Sequence, residues 1–469
     1  MALDHLALRM KNRGWHVDQE AVLRHQGRLA EDIHVAKEGF QRVSGLRLFP
    51  DVEVEGAEDD EAFDEKLFNS APQLKVLFFD RWGVVPKYRS KATGKPSLNK
   101  VVLKDLLAEG STEQIRGAAR WLLRFREAHK TKSTYIDRLR PDSMNKKGES
   151  NTYLTNGWPE EGYVLRPSWA VVQALTGRWS CAGPNLQNLQ KPRVGKDPTT
   201  GKKVIEREGT RDVLVSRPKL WLTEGDYSQL ELRIITLLAG DPILLEMYAS
   251  PTVDMHIENA KLLFNLKEFD LAIHKNLRDL AKIFVYGANY GAHFKTLWKQ
   301  IVVGFPNVTE MEVARMQERW FKAHPWLKTW ALGAYKQAKE VGMVVEHLSG
   351  REFVFYLRQV KPTEPANYLV QGFAAALMNR ATVRVDQRLQ WDEQEGLLAQ
   401  VHDALFMEGP DPLHLGRILK DEMTEEIQIG PHRMRFPIDL KLGRCWGKMQ
   451  EQEKGESWEG LCERLKETA

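Results

Sequence analysis

The sequence predicts an α+β fold, and three stretches carry that expectation. Pro218 to Ile235, PKLWLTEGDYSQLELRII, opens with the β-prone run Leu220–Thr223, is broken at Gly225, and continues after Asp226 with Leu230, Ile234, Leu237 and Leu238 at helical spacing. Leu397 to Gly409, LLAQVHDALFMEG, sets two apolar runs on either side of His402-Asp403 and reads as a β-hairpin with the carboxylate at its turn. Arg278 to Gly291, RDLAKIFVYGANYG, repeats Arg278, Lys282, Tyr286 and Tyr290 every four residues, each about 40° further round a helix, so the four line one face. A carboxylate at a rigid strand end projects into a cleft, and the backbone carbonyl after it is free to join a metal site shared with substrate phosphates. Two cations followed by two phenols suit a nucleoside triphosphate, with fixed charge for the phosphates and flat surfaces for sugar and base.

Composition narrows the class. With 469 residues, 42% of them hydrophobic and 28% charged, the chain can bury large cores and should divide into several domains or subdomains. No run of 18 apolar residues occurs, and residues 1–30 mix Asp4, Asp18 and Glu20 with their basic residues around no apolar core. Neither a membrane span nor a secretory or transit signal is expected, and the protein reads as intracellular. Cys181, Cys445 and Cys462 lie far apart without a CxxC pair, which argues against a zinc site or disulfide framework and predicts free thiols.

The net charge of +4 is unevenly spread, since Lys66 to Ser150 holds 19 Lys and Arg against 8 Asp and Glu. That segment is a candidate grip on nucleic acid. It carries the basic tip KYRSKATGKPSLNK, Lys87 to Lys100, and a helical stretch from Thr112 to about His129 with Arg116, Arg120 and Arg124 on one face. Upstream, nine of the fifteen residues from Asp51 to Glu65 are acidic and read as a solvated loop. The pair Asp51 and Glu53 has the DxE form of a two-metal nuclease, but only about 65 residues precede the basic segment, too few for an ordinary domain. No 3′-5′ proofreading domain is therefore expected in this chain.

The string DYSQLELR resembles the first catalytic motif of the DNA polymerase I family (family A), and further strings like those of the family follow in order along nearly the whole chain. MALDHLALRMKNRGWHVD, LFNSAPQLKVLF, the GKPS tip and KTKSTYID look like the start of its polymerase domain and thumb. TGRWSCAGPNLQNLQKP resembles the segment along the primer end and minor groove, with Arg178, Asn185, Gln187 and Asn188 at the matching positions. Side-chain donors there can check pairing geometry without reading sequence. RDLAKIFVYGANYG resembles the second motif, EPANYLVQG the primer-template helix with Asn367 and Gln371, LLAQVHDALFMEG the third motif, and DLKLGRCWGK the family's ending. The chain departs from the family pattern at Ala404, where HDE is commoner, and at Thr363, where many relatives are basic, so that one backbone contact is missing or comes from Arg358 or Lys361.

The resemblance implies a right-hand polymerase fold with an antiparallel-sheet palm, a helical thumb and helical fingers. The expected divisions are an N-terminal palm-associated segment 1–65, thumb 66–145, palm 146–240, fingers 241–360, and palm with the C-terminus 361–469. The implied reaction is template-directed addition of deoxynucleotides to a primer 3′-hydroxyl with release of pyrophosphate. By the same resemblance Asp226, Asp403 and Lys282 are catalytic, and Asp226, Tyr227 and Asp403 hold two Mg²⁺ ions, which Mn²⁺ can replace. Arg278 and Lys282 hold the triphosphate and His256 adds a phosphate contact, the alternative for His256 being a structural histidine. Tyr286 lies beside the sugar, Tyr290 guards the templating position, Glu231 is a steric gate, Gln229 joins the nucleotide site, and His402 joins the DNA contacts. The expected partners are primer-template DNA and deoxynucleoside triphosphates, with no membrane, for a monomer that accessory proteins could join in the cytoplasm of a bacterial or phage-infected cell, an organelle being the alternative. A single-subunit RNA polymerase would share the aspartates and the Lys/Tyr helix but lack the glutamate that Glu231 provides.

Overall fold

The computed structural model describes residues 2–467 except 47–64, 87, 90–93, 111, 146, 157–161, 172, 197–202, 208, 251–252, 303, 306, 357–358, 393 and 454. Asp51, Glu53, Arg358 and most of the acidic run thus lie outside the described residues. The chain forms two compact units, one of residues 1–18 and 153–469, the other of residues 19–152. The sequence reading set its first two divisions at 65/66 and 145/146 instead. Helix Gln19–Ser44 belongs with the basic segment because it meets helix Glu113–Thr131 through glycines. A Cβ on Gly39 would sit 2.3 Å from the Trp121 ring, and one on Gly117 would sit 2.7 Å from Val43. Around that contact Phe40, Phe68, Phe78 and Phe125 are fully buried.

The arginine stripe of this unit is largely spoken for. Arg116 pairs with Glu113 at 3.0 Å and donates to the Gly110 carbonyl, while Arg124 pairs with Asp32 at 2.8 Å. Arg120 is exposed and, among the described residues, has no ion-pair partner.

In the larger unit an antiparallel five-stranded sheet runs in the order Gly396–Val401, Ala404–Gly409, Trp221–Tyr227, Ile438–Gly443, Gln450–Glu451. The central strand continues through Gly225, where the sequence suggested a break. Glycine is there for space, since a Cβ would stand 3.0 Å from Met423 Sδ and 3.1 Å from Ile438 Cδ1. Helix Pro412–Met423 can therefore lie close against the strand. Burying Leu405, Met407, Leu440 and Leu442 on that side and the Trp15, Phe406 and Trp446 cluster on the other leaves the strand ends to carry polar groups.

Helix Leu271–Asn289 buries Leu280, Ala281, Phe284, Val285 and Ala288, whereas Ile283 is 39% exposed. Gly287 and Gly291 admit protein neighbours: added Cβ atoms would meet Leu297 at 2.3 Å and Thr363 at 2.6 Å. The small side chain of Thr363 fits that approach. All three cysteines are free, and among the described residues no helix is long and apolar enough to cross a membrane.

The first helix, Ala2–Arg13, is tied to the sheet by charge. Glu408 is wholly buried, takes Arg13 Nη2 at 2.8 Å and the Arg217 backbone N–H at 2.8 Å, and pairs with the Arg217 guanidinium. Removing one member of a buried ionic cluster strands the others without water. Glu408→Ala should therefore lower the unfolding free energy by about 3–5 kcal/mol. Urea denaturation measures it, and a loss under about 1 kcal/mol would show that the two arginines find other partners.

Candidate active site

Asp226 is the penultimate residue of the central strand, and its neighbours across the sheet are Ala404 on one side and Asp439 on the other. The adjoining hairpin turns in two residues, Val401 pairing with Ala404, and His402 takes the left-handed conformation, φ 56°, that such tight turns demand. This brings Asp403 up beside the end of the central strand, where its carbonyl accepts a hydrogen bond from Tyr227 N at 3.1 Å. The Tyr227 side chain points away, buried, and donates to the Met423 carbonyl at 2.7 Å.

Both carboxyl groups hold their protons more tightly than free ones. Burial pushes Asp403 up to about 6, opposed by Arg178 and reinforced by Glu231 and Asp226. Burial raises Asp226 as well, opposed by Lys441 and Lys191 and reinforced by Asp439. Among the described residues no group of three or more His, Cys, Asp or Glu is arranged to hold a metal. The Asp226–Asp403 pair is instead a two-carboxylate arrangement of hard oxygen donors, partly dehydrated and mutually repelling. That fits Mg²⁺, which binds through one or two carboxylates and fills its other positions with waters and substrate phosphates.

Glu231 stands in the first turn of helix Leu230–Ala239, only 18% exposed, and accepts Arg178 Nη2 at 2.5 Å. The same nitrogen is 3.8 Å from Asp403 Oδ1, so Arg178 joins the helix start to the hairpin turn. Tyr290, which caps the Leu271–Asn289 helix, is half-buried beside Glu231, and burial with that nearby carboxylate pushes its hydroxyl pKa up. Tyr286 is also raised, by burial and then by Glu231, Asp403 and Asp226. Both phenols thus lie beside the acids.

One and two turns earlier the helix presents its cations. Lys282 is exposed, while Arg278 holds Asp254 at 2.8 Å, and Asp254 also caps helix Met255–Phe264. His256, in the first turn of that helix, is buried, and burial with the nearby Lys282 and Arg278 charges lowers its pKa to about 4. Gln229 precedes the Glu231 helix in the left-handed region, and its Oε1 accepts from Tyr248 Oη at 3.0 Å.

The Arg178–Asn188 segment folds against the hairpin turn. Gly183–Pro184 is a cis peptide, Asn185 Oδ1 accepts from Gln187 N at 3.0 Å, and Gln187 Nε2 donates to the Trp179 carbonyl at 3.0 Å. His402 Nε2 lies 3.1 Å from the Gln187 carbonyl, which links this segment to the turn before Asp403. Asn188 is exposed. Asn367 and Gln371 are half-buried one turn apart on helix Glu364–Arg388. Asn188, Asn367 and Gln371 make no side-chain hydrogen bond among the described residues.

The family described as DNA polymerase family A matches residues 53–448, most of the chain. The chain belongs to DNA polymerase family A. It is 28% identical over 390 residues to a thermostable DNA polymerase I of Thermus filiformis, covering 81% of this chain and 41% of that protein. Similarity to the thermostable DNA polymerase I of Thermus aquaticus is 28% over 385 residues, 80% and 41% of the two chains. With DNA polymerase I of Pseudomonas aeruginosa the identity is 30% over 361 residues, 74% and 35%. The chain therefore spans about two fifths of the length of these relatives or less. In fold it resembles the POL domain of Pol1 from M. smegmatis, solved in complex with DNA primer-template and dNTP, with a TM-score of 0.70 and 22% identity over 96% of this chain and 70% of that one.

Several residues of this cluster escaped the sequence reading. Asp439 stands across from Asp226, and next to it Lys441 Nζ reaches the buried Glu224 at 3.4 Å, on the same face of the sheet as Asp226. Strict alternation in Ile438-Asp439-Leu440-Lys441-Leu442 and in Thr223-Glu224-Gly225-Asp226 was the available signal. Tyr248 had none, and Asp254 none beyond its place ahead of a helix start, because Gln229 and Arg278, which they hold, lie on other elements.

His256 also makes stability depend on pH. Its folded pKa, about 4, is depressed below the ordinary value of 6.5, so its contribution is fully present above pH 6.5 and is lost as pH falls toward 4, while only the unfolded chain takes up the proton. Between those limits His256→Gln should flatten the pH dependence of the urea midpoint, removing a slope approaching about 1.4 kcal/mol per pH unit. Parallel curves for the two proteins would mean that His256 titrates normally.

Proposed function

We propose that this chain performs template-directed DNA synthesis, extending a primer 3′-hydroxyl with deoxynucleotides by in-line attack on the α-phosphorus and release of pyrophosphate. The observation that carries the reading is the convergence of Asp226 and Asp403 on adjacent strand ends with Arg178 and Glu231 beside them, facing a helix that offers Tyr286, Lys282 and Arg278 in succession. Membership of DNA polymerase family A supports it.

In this reading Asp226, Asp403 and the Tyr227 main-chain carbonyl hold two Mg²⁺ ions, which Mn²⁺ can replace. When bound, the metals lower the pKa of the primer hydroxyl and neutralise the charge on the leaving pyrophosphate. Lys282 and Arg278 take the triphosphate oxygens, Arg278 exchanging Asp254 for phosphate, and the neutral His256 adds a hydrogen bond. Glu231, held by Arg178, fills the space that a ribose 2′-hydroxyl would need, Gln229 supports that wall, and Tyr290 stands at the templating position. Arg178, Asn185, Gln187, Asn188, Asn367, Gln371 and His402 contact primer and template, Arg178 by releasing Glu231 in part. Residues 146–240 and 361–469 serve as palm and 241–360 as fingers, and the 19–152 unit contains the thumb. The partners are primer-template DNA and deoxynucleoside triphosphates, the protein acting as a cytoplasmic monomer.

Because the acids act on the developing charge and not on DNA affinity, Asp226→Ala and Asp403→Ala should each cut primer extension with Mg²⁺ by several orders of magnitude while DNA binding stays near normal. Extension by either variant at near the unaltered rate would defeat the assignment.

Tyr286 supplies a second test. Its hydroxyl can stand in for the missing 3′-hydroxyl of a dideoxynucleotide near the triphosphate, which phenylalanine cannot do. The unaltered protein should incorporate dideoxynucleotides with little discrimination, and Tyr286→Phe should reduce their use by roughly ten- to a hundredfold while normal incorporation barely changes. Termination patterns in dideoxy–deoxy competition decide it, and equal patterns for the two proteins would return Tyr286 to a packing role.

A further inference from the structure

The helix that carries Glu231 is reached through an unusual residue. Gln229 has φ 52° and ψ 40°, a left-handed conformation that side chains other than Asn and Asp seldom adopt. Its side chain does not cap the helix it precedes. The amide oxygen instead accepts the hydroxyl of Tyr248, on helix Pro242–Ala249, at 3.0 Å. Tyr248 is in turn held in place, since the Arg233 guanidinium lies over its ring at 4.4 Å. Arg233 is one turn beyond Gln229 and donates its backbone N–H to the Gln229 carbonyl, its Nε to the Ser228 carbonyl and its Nη1 to the Arg435 carbonyl, each at 3.1 Å. Tyr286 is close enough to oppose ionisation of Tyr248, and Glu231 close enough to oppose that of Tyr286. Tyr248, Gln229, Glu231 and Tyr286 thus bound one small region.

We propose that Tyr248 is a positioning residue for sugar discrimination, its hydroxyl holding Gln229 in the left-handed turn that sets where the helix begins and how close Glu231 stands to Tyr286. The inference rests on the assignment of Glu231 as the gate against ribose. A gate of this kind works by lack of room, so a turn that relaxes by a fraction of an ångström admits one extra hydroxyl and leaves a deoxynucleotide, which never fills that space, unaffected. Without its partner, Gln229 keeps a costly backbone conformation and loses what compensates it.

The test is steady-state incorporation of a deoxynucleotide and of the matching ribonucleotide by the full chain, with Mg²⁺, for the unaltered protein, Tyr248→Phe, Gln229→Gly and the double variant. Glycine tolerates the left-handed turn but has no amide to hold, so it removes the tether without imposing strain. Tyr248→Phe should lower the deoxy-to-ribo ratio of kcat/KM by about three- to tenfold, the range one neutral hydrogen bond supports, with deoxynucleotide kcat/KM within about twofold of normal. In the Gln229→Gly background the same change should do nothing further, because the tether is already gone. An unchanged ratio in Tyr248→Phe, an equal loss for both sugars, or effects that multiply in the double variant would overturn the proposal while leaving the polymerase reading intact. A lowered melting temperature with an unchanged ratio would likewise mark Tyr248 as structural only. Failure of the unaltered protein to extend with either sugar would overturn both readings together.

Discussion

Two carboxylates, Asp226 and Asp403, are carried to adjacent strand ends where water is scarce, and the groups around them answer to that burial. Burial is what chiefly raises the pKa of each, with Glu231 and then Asp226 adding to it at Asp403 and Asp439 adding to it at Asp226. The surrounding cations hold it in check. Arg178 stands between Asp403 and Glu231, and Lys441 and Lys191 draw on Asp226 from the sheet and the loop beside it. Arg178 Nη2 stands 3.8 Å from Asp403 Oδ1 while holding Glu231 more closely.

The scaffold that sustains this arrangement is stiff for simple reasons. Antiparallel pairing on both sides of Trp221–Tyr227 fixes the register of Asp226, and the two-residue turn leaves Asp403 no freedom to slide. Glycines at 287 and 291 let a leucine and a threonine come nearer than a Cβ would allow, and Gly225 leaves a close fit for the Met423 side chain. The buried Glu408 cluster ties the first helix to the far end of the same sheet. By contrast, Arg278 and Arg178 are each held by a carboxylate at the surface of the site, and Lys282 is exposed.

How much of this was legible before the fold was known depends on the kind of contact. The face shared by Arg278, Lys282, Tyr286 and Tyr290 follows from spacing alone, and so does the turn at His402-Asp403, because both are local consequences of helix and strand periods. Gly225 misled for an instructive reason. Taken locally, a glycine ends a strand, but in the sheet it makes room for Met423, nearly 200 residues away. The arginine stripe of the smaller unit likewise looked free until Asp32 and Glu113 were found beside it.

By itself, then, the sequence determined the elements and the chemistry each would carry: acids at strand ends, cations and phenols on one helix, an amide-rich loop, and an ordered set of motifs that assigns the family. The tertiary structure alone decided which of those groups touch. That Arg178 clasps Glu231, that Asp439 flanks Asp226, and that Tyr248 holds Gln229 are facts about residues 53, 213 and 19 positions apart. Periodicity places a side chain on a face of its own helix or strand, and nothing in that rule says which face of another element will meet it. That is settled by how buried surfaces fit together, which depends on every side chain in the interface at once.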